Sequence, residues 1–120
     1  MGTRSALARK INTGYEWIYC HWDGYPENQL PLLQNYDTEE KIDQLIALKS
    51  LSYLGKEIGK KQNFDKPTNK DWCLSYYRDR NEDVNSHKVY TLHELRNSAN
   101  RSSCEYLYIY EDYKWKVDGL

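Results

Sequence analysis

The chain has 120 residues, with 17 Lys and Arg against 18 Asp and Glu for a formal net charge of -1. That length suits one domain around one hydrophobic core. The near-balanced charge argues against general duplex-DNA binding, which depends on phosphate neutralisation, and equally against an acidic DNA mimic. A mean hydropathy of -0.97 marks a polar chain, yet 12 Tyr and 4 Trp make it too aromatic for disorder.

Thr3 to Ile11 ends at the turn formers Asn12-Thr13-Gly14 and is followed by Tyr15 to Trp22, rich in β-favouring residues; together they predict a hairpin. Period-2 alternation in its second strand sets Ile18, Cys20 and Trp22 on one face, read as core. Tyr15, Trp17, Tyr19 and His21 form a row of rings on the other, either covered by a helix or offered to a ligand. Asp23-Gly24-Tyr25-Pro26 predicts a sharp turn. Pro31 is placed to begin a short helix through Tyr36, and Asp37-Thr38-Glu39-Glu40 has the form of an N-cap with an acidic first turn. Ile42, Leu45 and Ile46 then make the apolar stripe of a second helix. Lys49 falls on the same stripe and does not fit it.

Gly55 to Lys70 carries five lysines, Lys56, Lys60, Lys61, Lys66 and Lys70, and is broken by Gly59 and Pro67. It reads as a solvated loop, with a basic contact surface for phosphate as the sharper alternative. Trp72 to Tyr77 predicts a third strand running into a charged turn, Arg78 to Asp83. His87 to Tyr90 predicts a short strand. Thr91-Leu92-His93-Glu94 is a capping-box pattern opening a helix whose stripe is Leu92, Leu95 and Ala99. Cys104 to Tyr110 and Tyr113 to Val117 predict a C-terminal hairpin in which Leu107 and Ile109 alternate with Tyr106, Tyr108 and Tyr110. The order ββ-α-β-α-ββ predicts a single α+β domain over residues 1–120: an antiparallel or mixed sheet of about five to six strands with two main helices packed on one face.

Cys20, Cys73 and Cys104 are odd in number, far apart and without C-x-x-C spacing, so the expectation is a reducing, cytoplasmic setting without a disulfide framework. The longest apolar runs fall far short of the ~20 residues that span a bilayer, so no membrane partner is expected. Gly2 to Ala6 resembles a myristoylation signal but has Ala6 where Ser or Thr is required. Asn100-Arg101-Ser102 is a formal glycosylation sequon, a tripeptide without meaning outside a secretory chain.

Enzyme signatures are missing: no phosphate-binding glycine loop, no G-x-S-x-G, no H-E-x-x-H and no paired Cys ligands. Cys20 and His21 are neighbours on a strand, point to opposite faces and cannot work as nucleophile and base. His21 with Asp23 supplies only two groups across a turn, too few for a metal site. Neither a catalytic residue, a metal nor a cofactor is expected. The stronger constellation is a polar rim of Arg4, His21, Asp23, Tyr25, Arg78, Asp79 and Arg80 at strand ends and turns. With the rings of Trp17, Tyr19, Tyr106 and Tyr108 it forms the expected ligand- or partner-binding set. Guanidinium forks suit phosphate and carboxylate equally, so the same arginines are equally suited to bracing the turns against Asp23 and Asp79.

Gly2-Thr3-Arg4-Ser5, His21-Trp22-Asp23-Gly24-Tyr25-Pro26-Glu27, Leu33 to Asp37, Leu51 to Gly55 and Tyr77-Arg78-Asp79-Arg80 together resemble a family of small proteins of tailed phages and prophages. The resemblance covers the chain to about residue 80 and departs from the pattern at Asn81, where a Gly often stands. It implies a viral accessory protein of the bacterial cytoplasm that interferes with a host or defence component by direct, non-catalytic protein binding. Capture of a nucleotide-type signal or another phosphorylated small molecule is the alternative, and a small hydrolase using His21 and Asp23 a third. Self-association into a homo-oligomer is compatible with each.

Overall fold

The computed structural model describes residues Gly2–Leu120. β1 (Ser5–Ile11) and β2 (Gly14–Cys20) form the predicted antiparallel hairpin. Gly14 closes its turn at φ 142, and a Cβ there would lie 2.1 Å from the Val89 carbonyl oxygen, so the turn requires glycine. The chain continues through α1 (Pro26–Leu33), α2 (Glu39–Ala47), β3 (Leu51–Tyr53), β4 (Leu74–Ser75) and α3 (Tyr76–Arg80). It ends with β5 (His87–Val89), α4 (Leu92–Arg101), β6 (Tyr106–Glu111) and β7 (Lys114–Gly119). Local caps set the helices as the sequence predicts: Thr38 Oγ1 accepts from the Lys41 amide at 3.2 Å, and Thr91 Oγ1 from the Glu94 amide at 3.0 Å. α1 starts at Pro26, with Pro31 inside it rather than at its first turn.

The strands form one sheet in the order β4-β3-β2-β1-β6-β7, with β5 pairing beside β2. β1 with β6 and β2 with β3 run parallel, and the other pairs antiparallel. This is an α+β fold with a mixed sheet, as predicted. Seven strands are present because Leu51–Tyr53 adds one that its short length hid in the sequence.

The helices lie on both faces of the sheet, which corrects the expected one-sided packing. On one face α1 and α2 bury Leu33, Ile42, Leu45 and Ile46 against Leu7, Ile18, Cys20 and Tyr108. On the other, α4 sets Leu95 and Ala99 over Ala6, Ala8, Trp17 and Leu107. Alternation along β1 explains the arrangement, because Leu7 faces α2 while the small Ala6 and Ala8 let α4 approach closely. Both inner layers of the domain are therefore aromatic as well as aliphatic. Leu92, assigned to the α4 stripe from the sequence, is 44% exposed at the helix start.

The segment read as a third strand is only Leu74–Ser75 before the chain coils into α3. Ser75 caps that helix, its Oγ accepting from the Arg78 amide at 3.0 Å. The predicted charged turn, Arg78 to Asp83, is thus helical through Arg80, and Asn81 ends the helix in the left-handed region at φ 55, a conformation Asn tolerates where Gly is commonest. Lys49 is also left-handed, at φ 63 just past α2. Its ammonium lies 4.0 Å from the Tyr77 ring centroid, which is why it does not extend the apolar stripe.

Candidate functional site

The expected polar rim divides into three parts. The first is a brace. Asp79 has no exposed side-chain surface. Its carboxylate accepts from the Gln62 amide at 2.9 Å, the Ser75 amide at 2.8 Å and Arg78 Nε at 3.0 Å. Arg78 in turn donates to the Ile58 carbonyl at 2.7 Å and the Cys73 carbonyl at 2.8 Å. The Gln62 side chain continues the network to Cys73, Thr68 and Asn69. Arg78 and Asp79 therefore pin the lysine-bearing loop to α3, and these hydrogen bonds are committed to that brace. The loop's lysines stay exposed around a fixed backbone.

The second part is the turn after β2. Asp23 adopts φ 57, and its carbonyl accepts from Asn28 Nδ2 at 2.8 Å. It lines a groove of about 250 Å³ with Tyr53, Lys56, Lys70 and Asp71. Mixed charge in that groove selects no single sign of ligand. His21 is not paired with Asp23: its Nδ1 shares a 2.7 Å hydrogen bond with Tyr19 Oη. Tyr25 caps α1 without a side-chain bond and is 40% exposed.

The third part is a patch of rings and arginine at the end of β2. Tyr19 packs, partly buried, against the α4-side cluster, and His21 meets the edge of Trp22 with ring centroids 4.7 Å apart. Gly2 lies flat on the indole, since a Cβ there would be 2.3 Å from Trp22 Cε3. The indole is held on two sides yet remains 44% exposed. Burial lowers the His21 pKa, and the nearby Arg4 guanidinium lowers it further. Burial also raises that of the Tyr19 phenol, with Arg4 opposing. Near neutral pH the patch thus presents an uncharged imidazole beside the exposed Arg4 cation. Tyr76 is near enough to raise the Tyr19 pKa further, and Arg80 lies 5.0 Å from the Tyr76 centroid and 4.4 Å from that of Phe64, and pairs with Glu82.

Two of the rings expected at a binding surface are core. Trp17 is fully buried under α4, stacked on His87 with centroids 4.5 Å apart. Tyr108 is fully buried on the opposite face, donating to the Gly24 carbonyl at 2.6 Å. Tyr106 is partly buried against the same cluster. Conversely, Trp22, which alternation assigns to the core, is 44% exposed, and Phe64 and Tyr76 meet with ring centroids 5.2 Å apart although no pattern in the sequence marks them. The signal for Trp22 was its place one residue before Asp23-Gly24, where a strand stops and alternation no longer assigns a face.

Cys20 and His21 point to opposite sides, the Cys20 thiol reaching the Trp22 carbonyl at 3.7 Å. All three cysteines are free and buried. Burial pushes the Cys20 thiol up to about 11 and the Cys104 thiol up to about 12, and raises Cys73 as well. A thiol reagent at about pH 8 is therefore expected to modify none of them in the folded protein and all three after denaturation. Stoichiometric labelling of the folded chain rules this out. Among the described residues no group of three His, Cys, Asp or Glu side chains lies where it could hold a metal ion. No described helix is long and apolar enough to cross a membrane.

Fold and site together define a mixed-sheet α+β domain carrying a surface patch of clamped aromatic rings and exposed arginines. No protein-family model, curated protein or solved structure matches the chain.

Proposed function

We propose that this chain is a non-catalytic binding protein that covers a partner protein with the patch of Arg4, Tyr19, His21 and Trp22, extended by Arg80. The observation that carries this reading is the Trp22 indole, held against Gly2 and His21 yet 44% exposed. A large aromatic surface already fixed in place loses little conformational freedom on binding, and Trp, Tyr and Arg dominate the energetics of protein interfaces. The resemblance to phage proteins supports placing that partner among host or defence proteins of a bacterial cytoplasm. Nucleotide capture has less support. The rings that would stack on a base, Trp17 and Tyr108, are buried, and the arginine best placed to fork a phosphate, Arg78, already serves carbonyls and Asp79.

Capture from bacterial lysate on the immobilised protein, beside Trp22→Ala and Arg4→Ala, tests the reading. A specific protein is expected to be retained by the wild type and bound about 30-fold more weakly by Trp22→Ala, the loss of about 2 kcal/mol that marks a hot spot. Melting of the variant should stay within about 0.5 kcal/mol of wild type, as for a surface change. Equal capture by both variants sinks the patch. A saturable thermal shift with a nucleotide, about 2.7 kcal/mol at a hundredfold excess over Kd, would move the assignment to the small-molecule reading.

A further inference from the structure

Among the described residues, the outermost strand β7 has no partner on its far side. Its register with β6 decides which groups it leaves open. The Leu120 amide donates to the Glu105 carbonyl at 2.9 Å, and a two-residue turn, Asp112-Tyr113, joins Glu111 to Lys114. In the alternation of an antiparallel ladder, Lys114, Lys116 and Asp118 then turn their peptide groups in to β6. Trp115, Val117 and Gly119 turn theirs out. Six residues of strand thus end in a row of open donors and acceptors, the arrangement that invites another strand.

We infer that β7 pairs with β7 of a second copy of this chain, antiparallel about a two-fold axis through Val117. Two features of the strand agree on that one register. Val117, 36% exposed, meets Val117 of the other copy. Trp115 falls opposite Gly119, which adds no side chain to the seam; the indole stays in its own core, donating to the Tyr36 carbonyl at 3.0 Å. Lys116 falls opposite Asp118, whose carboxylate is held by Arg96 at 2.6 Å and has a second oxygen free for the ammonium. Sliding the pair to the neighbouring symmetric registers sets Lys116 against Lys116 or Asp118 against Asp118, like charges directly opposed. Edge lysines ordinarily discourage strand pairing; in this register Lys116 of each copy acquires an acidic partner. Leu92, 44% exposed in the groove of about 350 Å³ beside β7, adds apolar surface next to the seam. The result is one continuous sheet through two copies, with an isologous interface.

Sedimentation of the full chain over a concentration series tests this. The expected result is a species at twice the 14.4 kDa chain mass, in equilibrium with the single chain below roughly 1 mM. Val117→Pro removes an outward amide without touching the β6 ladder and should leave only the single chain, with the circular dichroism unchanged. Lys116→Glu and Asp118→Lys each create two like-charge pairs and should weaken self-association at least tenfold. Mixed together, they form two opposite-charge pairs and should associate with each other. A wild-type chain that remains single up to about 1 mM overturns the inference. So does a dimer indifferent to Lys116→Glu and Asp118→Lys, or a mixture of the two that fails to associate. The charge variants decide the matter even if Val117→Pro does not fold.

Discussion

Asp79→Ala is expected to destabilise the protein by about 3 to 5 kcal/mol, the cost of removing one member of a buried ion pair. The carboxylate is fully enclosed and takes hydrogen bonds from two backbone amides as well as from Arg78. Alanine leaves the Gln62 and Ser75 amides without their acceptor and the Arg78 guanidinium without its counter-charge, 16% exposed. Arg78→Lys should also be costly. An ammonium cannot donate at once to Ile58, Cys73 and both Asp79 oxygens in the planar fork that Arg78 uses. Arg80→Ala, two residues away but exposed and paired only with Glu82 among acidic groups, should change stability by less than about 1 kcal/mol. Urea denaturation of the three variants measures all of this. An Asp79→Ala loss no greater than that of Arg80→Ala would show that the brace does not hold the loop.

Trp17→Ala is expected to cost about 3 to 5 kcal/mol, as for other large aromatic truncations in cores. The indole is enclosed between Leu95 and Ala99 of α4 and the small residues Ala6 and Ala8 of β1, and is stacked on His87. Trp17→Phe should cost distinctly less. The Trp17 Nε1 has no hydrogen-bond partner among the described residues, so phenylalanine removes volume and an unsatisfied polar group together. The same denaturation experiment checks both variants. A Trp17→Ala loss under about 0.5 kcal/mol would place the ring on an open surface and remove α4 from that face of the sheet. The contrast with Trp22→Ala is the sharper measurement: two tryptophans five positions apart are expected to separate into a stability residue and a binding residue.

Both predictions turn on burial, and burial is where sequence reasoning failed. Alternation along β2 correctly separated Ile18 and Cys20 from Tyr15, Trp17 and Tyr19, because successive strand residues point to opposite faces whatever surrounds them. It could not say that the second face is covered. The cover is α4, whose apolar stripe within the helix is only Leu95 and Ala99 and which resembles any short solvent-facing helix in isolation. Charge was ambiguous for the same reason. Arg78 and Arg80 flank Asp79 symmetrically in the chain, yet a short helix turns one guanidinium inward to Ile58 and Cys73 and the other out over Phe64 and Tyr76.

What the sequence by itself determined was therefore local: the β1–β2 turn at Asn12-Thr13-Gly14, the caps at Thr38 and Thr91, the stripe Ile42, Leu45 and Ile46, and the C-terminal hairpin. Each rests on hydrogen bonds or periodicities completed within a few residues, so the signal is written in neighbouring positions. The tertiary structure alone decided that helices enclose the sheet from both sides, that Trp17 and Tyr108 are core, and that Trp22 stands half-exposed beside His21. Those outcomes depend on segments far apart in the chain meeting in space, as when Tyr108 reaches the Gly24 carbonyl. The exposure of a ring is set by what lies above it, which no pattern along its own strand encodes.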